Sequence, residues 1–555
     1  MSGEAIPASL AGRWRCAAFA ALFLLTAVLP QRLGAQVAAR SFDYLIRGGT
    51  VVDGTGAAPY PGDVAIAGDR IVAVSRTPLD SSRARNVIDA RGRVVAPGFI
   101  DVHAHVDDLQ QRPLAESFLR QGVTTVVYAL DGGMPWPLGE HIARMRASGH
   151  APNTAFLAGH NTIRRSVMGS ANRAPTAAEL AQMEAMVDRA MDEGALGFST
   201  GLRYVPGIYS TSEEVIALAR VAGRKGGFYG SHIRDEGAGS IDAVKELIRV
   251  AREANMPAHL SHHKLMGQPQ WGQSVQTLAL VDSARAAGLD VTIDQYAYDA
   301  TSTGISVLIP AWALAGGSDS LEARLRDPEL RSQIEAGIRE TIMEERGGGE
   351  LHRIRLARVG FRPEWEGKTF ADIARERQRE PNLEFATELA LEIQARGGAS
   401  GVWQVVDEAD IRRIMLHPWT MIASDGGIGV PGVGHPHPRT YGAFSRVLAR
   451  YVREQNVLSL EEAVRKMTSL PAARIGQADR GRIVEGMFAD IVVFDPRAVL
   501  DRATYEQPHQ YSVGVYDVLV NGEPVLRAGS LTGGKPGRVL ERITQGRRDA
   551  EAAVN

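Results

Sequence analysis

The 555-residue sequence predicts an α/β protein: a (β/α)8 barrel of the TIM type carrying a small β-sandwich built from both chain ends. Three observations lead there. From Val94 to about Gly476, strand-like runs alternate with amphipathic helices, the pattern of parallel strands joined by helical crossovers. On either side lie short β-like runs broken by Gly and Asp turns, neither set large enough to bury a core alone. Within the middle stretch His103, His105, Asp131, His232, His262 and Asp425 all fall where strand-like runs end, the face on which barrel active sites are built. A doubly wound sheet would not gather so many strand ends about one point.

Taken in order, the chain opens with Arg13 and Arg15, an apolar run from Ala17 to Leu29, and the small-residue step Leu33-Gly34-Ala35. The run is too short to span a bilayer comfortably, so residues 1–35 are expected to be a removed secretory signal. That implies a bacterial exported protein, periplasmic or secreted; an uncleaved signal anchor is the alternative. Cys16, the only cysteine, lies inside this segment, leaving the mature chain without disulfides or thiolate ligands. About 520 residues then remain, room for one large domain and one smaller. The net charge is −2 with acids and bases interspersed, and no basic arm is present, so nucleic acid is not an expected partner. No later run is long and apolar enough for a bilayer, so no stable membrane association is expected once the signal is gone.

Residues 41–95 form the first part of the expected sandwich, with strand-like runs at Tyr44–Val52, Gly62–Ile66 and Arg70–Val74. Residues 477–545 supply the second part, through Gly481–Val484, Ala489–Phe494 and Tyr516–Val525. The barrel, 96–476, is entered by one strand running from Val94 to Val102. Further strands are expected at Gly122–Tyr128, Ala195–Thr200, Gly227–His232, Pro257–His263, Leu289–Asp294 and Thr420–Asp425. Helices fall between them at Ile241–Ala254 and Gln273–Ala287, and another opens at Ser212, read as an N-cap with acids in the turn behind it. Residues 309–401 are long for a barrel connection and rich in charge, as a lid over the barrel mouth would be.

The most informative stretch is Asp101-Val-His-Ala-His105. On a strand, residues i and i+2 point the same way, so His103 and His105 present two imidazoles to one point. Zinc takes such nitrogens at about 2.0–2.1 Å. Gly98, earlier on the strand, is expected to keep the approach free of a side chain.

The Gly98-Phe-Ile-Asp-Val-His-Ala-His105 opening, the lone strand-end histidines and Ser424-Asp-Gly426 resemble the amidohydrolase superfamily of metal-dependent barrel hydrolases. The resemblance narrows to the D-aminoacylase (N-acyl-D-amino-acid deacylase) family. It does so on Arg164-Arg-Ser-Val-Met-Gly169, Gly194-Ala-Leu-Gly-Phe-Ser-Thr-Gly-Leu-Arg-Tyr-Val-Pro-Gly207, Ser231-His-Ile-Arg-Asp-Glu236, Ser261-His-His-Lys264, Pro436-His-Pro-Arg439 and Met467-Thr-Ser-Leu-Pro-Ala-Ala473. It covers nearly all of the mature chain. It implies one or two zinc ions, His232 and His262 as ligands with His263 a competing choice, and Asp425 as the catalytic carboxylate. Family members carry a metal-binding cysteine after the Gly-Val-Thr-Thr-Val-Val strand; here the matching residue is Asp131. Other branches use a carboxylated lysine, but the first lysine in this chain is Lys225. Asp131 is therefore the expected replacement ligand, a turn residue before Gly132-Gly133 being its other reading.

The implied reaction is hydrolysis of an N-acyl-D-amino acid to a carboxylic acid and a D-amino acid, the D preference resting on the resemblance alone. A substrate with a free carboxylate calls for cations or hydroxyls near the metal, and Lys264, Tyr296 or Tyr298, and Arg439 are the candidates. Two alternatives stay open: a related hydrolase of dipeptides or cyclic amides, and a non-catalytic periplasmic binding protein. Asp425 speaks against the second, since a binding protein needs no general base.

Overall fold

The computed structural model describes residues 41–542; the expected signal segment and the last three residues of the expected C-terminal part, 543–545, lie outside them. Eight parallel strand positions close a ring. They are Phe99–His105, Val123–Tyr128, a third shared by Asn153–Phe156 and Ala158–Gly159, Gly197–Gly201, Phe228–His232, Ala258–Leu260, Val291–Gln295, and an eighth shared by Thr420–Ile422 and Gly426–Gly427. The two divided positions are where the ring changes partners. Asn153–Phe156 pairs with Val123–Tyr128, and Ala158–Gly159 with Gly197–Gly201. Thr420–Ile422 pairs with Val291–Gln295, and Gly426–Gly427 closes the ring on Phe99–His105. Asp425 sits in the break of the eighth position.

Crossover helices cover the outside. Ser240–Ala254 buries Val244, Leu247, Ile248 and Ala251, a stripe at helical spacing, and stops at Asn255, which takes a left-handed φ of 51°. The helix expected to open on a Ser212 cap is capped instead by Thr211, whose hydroxyl accepts from the Glu214 N–H at 3.2 Å. Ser212 is its first helical residue and donates to Glu246.

The two chain ends meet in one mixed sheet. Phe42–Val51, Tyr60–Ala67, Arg70–Ser75, Ala84–Asp89 and Val94–Pro97 continue into Ile491–Phe494, Val515–Val520, Glu523–Arg527 and Ser530–Leu531. The seam is the antiparallel pair Val94–Pro97 with Ile491–Phe494. Alternate residues of both halves, among them Ile46, Val64, Ile66, Val95, Ile491 and Val493, fill a shared apolar core. Gly481–Val484, expected as a strand, is a loop. Gly481 has φ +76°, and a Cβ there would lie 2.7 Å from the Thr468 carbonyl oxygen, so this segment turns tightly against the barrel.

The connection between the Val291–Gln295 and Thr420–Ile422 strands is more than a lid. It carries its own antiparallel sheet, Ala300–Gly304, Ser400–Gln404 and Ile354–Arg358, with Ser400–Gln404 central, and long helices at Pro328–Glu344 and Leu383–Ala395. Its structured bounds, Ala300 to Gln404, therefore reach beyond the 309–401 expected from composition.

The strand expected from Val94 to Val102 is two strands in two sheets, and Gly98 is the joint. Its N–H donates to the Asp490 carbonyl at 2.8 Å. A Cβ on it would lie 2.2 Å from Thr124 Cγ2. The glycine thus permits close packing of neighbouring strands rather than clearing an approach to the histidines. Gly98→Ala should destabilise the protein by about 1–3 kcal/mol, and Thr124→Ala in the same chain should recover part of that loss, as measured by calorimetric unfolding.

Candidate active site

His103 and His105 end the first barrel strand and His232 ends the fifth. His262 lies two residues past the sixth, and Asp131 follows the second in the loop after Tyr128. Two of these strand-end residues hold left-handed backbone conformations that side chains rarely adopt, His262 at φ 33° and Asp425 at φ 49°. Each is pinned: His262 N–H donates to Asp294 Oδ1 at 2.7 Å, and Asp425 N–H to the His103 carbonyl at 2.8 Å. Asp131 is fixed by close backbone approaches. A Cβ on Gly201 would lie 2.3 Å from the Asp131 carbonyl oxygen, and one on Gly132 2.2 Å from Asn161 Oδ1.

The Asp131 carboxylate faces all four histidines. Its Oδ1 is 3.4 Å from His103 Nε2, 3.6 Å from His232 Nδ1 and 3.5 Å from His262 Nε2, while its Oδ2 is 3.6 Å from His105 Nε2. Donors held about 2.0–2.1 Å from one tetrahedral ion stand roughly 3.3 Å apart, close to these separations. The donors fall into two sets sharing Asp131: His103, His105, Asp131 and Asp425, and Asp131, His232 and His262. Both ring nitrogens of His103 and of His232, and Asp131 Oδ1, are buried without a hydrogen-bond partner. Orphaned groups of this kind, with a nitrogen and oxygen donor set, fit a divalent zinc-type ion at one or both positions. His263, the competitor of His262, points away and hydrogen-bonds Thr277 Oγ1 at 2.8 Å.

Carboxylates also stand behind the histidines. Glu236 Oε1 is 3.0 Å from His262 Nδ1, its Oε2 is 3.4 Å from His232 Nε2, and Asp294 Oδ2 is 3.4 Å from His103 Nδ1. Such partners orient a ligating imidazole and raise its basicity. Burial and Lys264 push His262 down, but Glu236 and Asp131 outweigh them and hold it up at about 9. Burial pushes Asp425 up, yet Arg439 and His103 outweigh it and keep the carboxylate ionised. Neither Glu236 nor Asp294 was singled out from sequence, although Glu236 lies four residues after His232 and Asp294 near a strand end.

Beside this cluster lies a cavity of about 410 Å³. Lys264, Tyr296 and Arg439 line it as expected for a substrate site, but the two cations are engaged. Lys264 Nζ pairs with Glu236, and Arg439 Nη1 with Asp425 Oδ2 at 2.7 Å. Tyr296 packs between them, its buried hydroxyl without a partner. Tyr298 does not line this cavity: it packs behind the wall against His437, Tyr505 and Arg446. The chain leaves the barrel strand at Gln295, and of the two candidate tyrosines only Tyr296 reaches the cavity. Besides Glu236, five lining residues escaped the sequence reading, Ser302 and Thr303 of the insertion among them. Tyr204, whose ring centroid lies 4.6 Å from that of His232, comes from the Gly194–Gly207 motif; Thr301 and Arg346 come from the insertion.

Comparison with known proteins agrees with this geometry. The amidohydrolase family profile matches residues 86–526. D-aminoacylase of Alcaligenes xylosoxydans xylosoxydans is 36% identical over 532 residues, covering 91% of this chain and 99% of that protein. N-acyl-D-glutamate deacylase of the same organism is 38% identical over 524 residues, with 90% and 96% covered. The crystal structure of N-acyl-D-glutamate deacylase from Bordetella bronchiseptica, complexed with zinc and a phosphonate mimic of the tetrahedral intermediate, superposes with a TM-score of 0.77. It is 36% identical, with 90% of this chain and 99% of that one covered. The chain belongs to the D-aminoacylase family of amidohydrolases. Its two donor sets share one carboxylate, Asp131.

Asp131→Ala should lose most of the bound zinc and unfold at lower temperature, because an ion held only by the native state stabilises it. Asp131→Cys should keep zinc; mass spectrometry of both purified variants checks each outcome. A pH effect follows from His262. Its folded value, about 9, lies above the ordinary 6.5, so the proton stabilises the metal-free protein below pH 6.5 and that gain is lost as pH rises through 9. Zinc must displace this proton and that of His103, which burial pushes down but Asp131, Asp294 and Asp425 hold well above its ordinary value, so its affinity should climb with pH over this range. The gap in thermal midpoint between zinc-loaded and metal-free protein should widen over the same range.

Proposed function

We propose that this amidohydrolase is a zinc-dependent deacylase of N-acyl-D-amino acids, releasing a carboxylic acid and a D-amino acid. The observation that carries the reading is Asp425, an ionised carboxylate 3.0 Å from His105 and open to a cavity with room for a small amide. The zinc complex of the Bordetella relative supports the choice of ion, and the names of the three relatives support the substrate class. Zinc bound among these donors supplies an acidified water and polarises the scissile carbonyl.

The protein's own groups do the rest. Asp425 Oδ1 takes the proton of the attacking water and hands it to the amide nitrogen, which leaves far more readily as a protonated amine. Arg439 holds the other oxygen, so one carboxylate edge stays fixed while the other exchanges the proton. The Tyr296 hydroxyl and Arg439 Nε are both buried and unpartnered and their residues line the cavity, which supports them as the groups that receive the substrate's α-carboxylate. The leading segment, 1–35, is read as an export signal that delivers the enzyme to the periplasm or the medium; N-terminal sequencing of the exported protein tests this.

Asp425→Asn should keep its zinc and fold and lose about 10²–10⁴-fold in kcat on N-acetyl-D-amino acids, with the L isomers poor substrates throughout. Near-normal turnover of this variant would remove the mechanism.

A further inference from the structure

The barrel core holds a chain of polar groups with no part in the proton transfers of Asp425. It lies on the sixth and seventh strands, where His259 stands opposite Thr292 in register. Thr292 and Asp294, two residues apart on one strand, point to the same side. His259 reaches both: its Nδ1 is 2.9 Å from Thr292 Oγ1 and its Nε2 is 2.7 Å from Asp294 Oδ2. Barrel interiors are filled mostly by branched apolar side chains, and a polar group buried there costs stability unless it is paired. All three residues are buried, and Arg474 closes the far end of the chain. Its Nε donates to Thr292 Oγ1 at 2.8 Å and its Nη2 to Asp290 Oδ1 at 2.7 Å.

The donors fix the direction of the chain. A guanidinium can only donate, so Thr292 Oγ1 accepts from Arg474 and keeps one proton to give. The nearer acceptor for that proton is His259 Nδ1, at 2.9 Å against 3.5 Å for the Ala258 carbonyl. His259 then carries its own proton on Nε2 and donates it to Asp294 Oδ2. The other oxygen, Asp294 Oδ1, accepts from the His262 N–H at 2.7 Å. Held at both oxygens, the carboxylate keeps one orientation, in which Oδ2 stands 3.4 Å from His103 Nδ1. Among the described residues no hydrogen bond reaches that nitrogen from elsewhere. Asp294 is thus the group that favours a proton on His103 Nδ1 and leaves Nε2 to face Asp131, 3.4 Å away.

We infer that His259 is a positioning residue for the zinc centre: through Asp294 it sets the orientation and the tautomer in which His103 meets the ion. Thr292 and Arg474 set the tautomer of His259 in turn. His259 touches neither the donors' meeting point nor the substrate cavity, and the inference rests on the zinc site rather than on the choice of substrate.

The test uses the full chain carrying His259→Gln or His259→Asn. A glutamine amide extends to the Nε2 end of the ring it replaces and can still donate to Asp294; an asparagine amide stops at the Nδ1 end, beside Thr292, and cannot. Zinc affinity is read by competition with a chelator, the ligand field by the visible absorption of cobalt-loaded protein, and the metal-free fold by its thermal midpoint. His259→Asn should bind zinc about 10–100-fold more weakly, with altered cobalt bands, while His259→Gln stays within a few-fold of wild type. Wild-type affinity and cobalt bands in both variants overturn the inference. So does an equal loss in both that follows the metal-free midpoint, the result a purely structural network would give. If neither amide variant folds, Thr292→Val decides, since it removes the hydroxyl that fixes His259 and leaves Asp294 in place. Zinc bound several-fold more weakly by that variant supports the inference, and unchanged binding overturns it. None of these readouts needs turnover, so a failure of the deacylase reading would show separately, as absent hydrolysis of N-acetyl-D-amino acids by zinc-loaded wild type.

Discussion

A single carboxylate facing four imidazoles is the arrangement on which this site depends. Asp131 is held between His103, His105, His232 and His262 by backbone packing that only glycine allows, at Gly132 and Gly201. Bringing that many polar groups together out of water is expensive unless each has a counterpart. The barrel supplies counterparts on both sides. Asp131 lies at the centre, and Glu236 and Asp294 stand behind three of the rings, so each imidazole is turned with one nitrogen inward. Carboxylate oxygens and nitrogen groups then alternate outward, from Asp131 to the histidines, to Glu236, and to Lys264. Lys264 is better understood as the outer member of that series than as a free hand for the substrate.

The insertion between the last two barrel strands completes the other half of the cavity. The strand ends bring donors to a point, but all of them approach from below. The hydroxyls of Thr301 and Thr303 and the guanidinium of Arg346 come from above, on a sheet and a helix end that the barrel does not need for closure. Thr303 also donates to the Tyr204 hydroxyl, tying the insertion to the barrel loop that covers His232. Tyr204 in turn borders a second hollow of about 660 Å³ under the insertion, walled by Ile208, Val307, Ile309 and Leu314. The chemistry is thus built on the geometry of a barrel rim, and the shape of the substrate space on an appendage.

Much of this was legible in the sequence because period-two alternation and strand-end placement carry information locally. His103 and His105 declare themselves two residues apart, and the β-rich ends declare that each lacks partners. What stayed hidden depends on contacts between distant segments. Gly98 read as part of one strand because nothing near it in sequence reveals that Thr124 presses on it from the next strand. Tyr298 looked equivalent to Tyr296 because both offer a hydroxyl in the same short stretch, and nothing local reveals that the strand stops at Gln295. Arg346 sits in a Glu- and Gly-rich turn like many surface arginines, and only the fold reveals that it is buried. Thr211 and Ser212 are both capping residue types, so the choice between them rested on a single position of helix phase.

The seam of the sheet formed by the two chain ends has a consequence for synthesis. Val94–Pro97 pairs on one side with Phe42–Val51, made before it, and on the other with Ile491–Phe494, so the strand that runs directly into His103 gains its second neighbour only after nearly all of the chain has been made. Until then the first barrel strand hangs from an open sheet edge, and its closing partner, Gly426–Gly427, is also still to come. Contacts this far apart along the chain form late and slowly. A ribosome-bound fragment would therefore hold His103 and His105 at the end of a strand paired on one side only, and a metal-binding pair would exist well before the enclosure that gives it selectivity. Protection of that edge during production becomes part of what the cell must provide, and the last strands of the chain are as necessary to the metal centre as the residues that touch it.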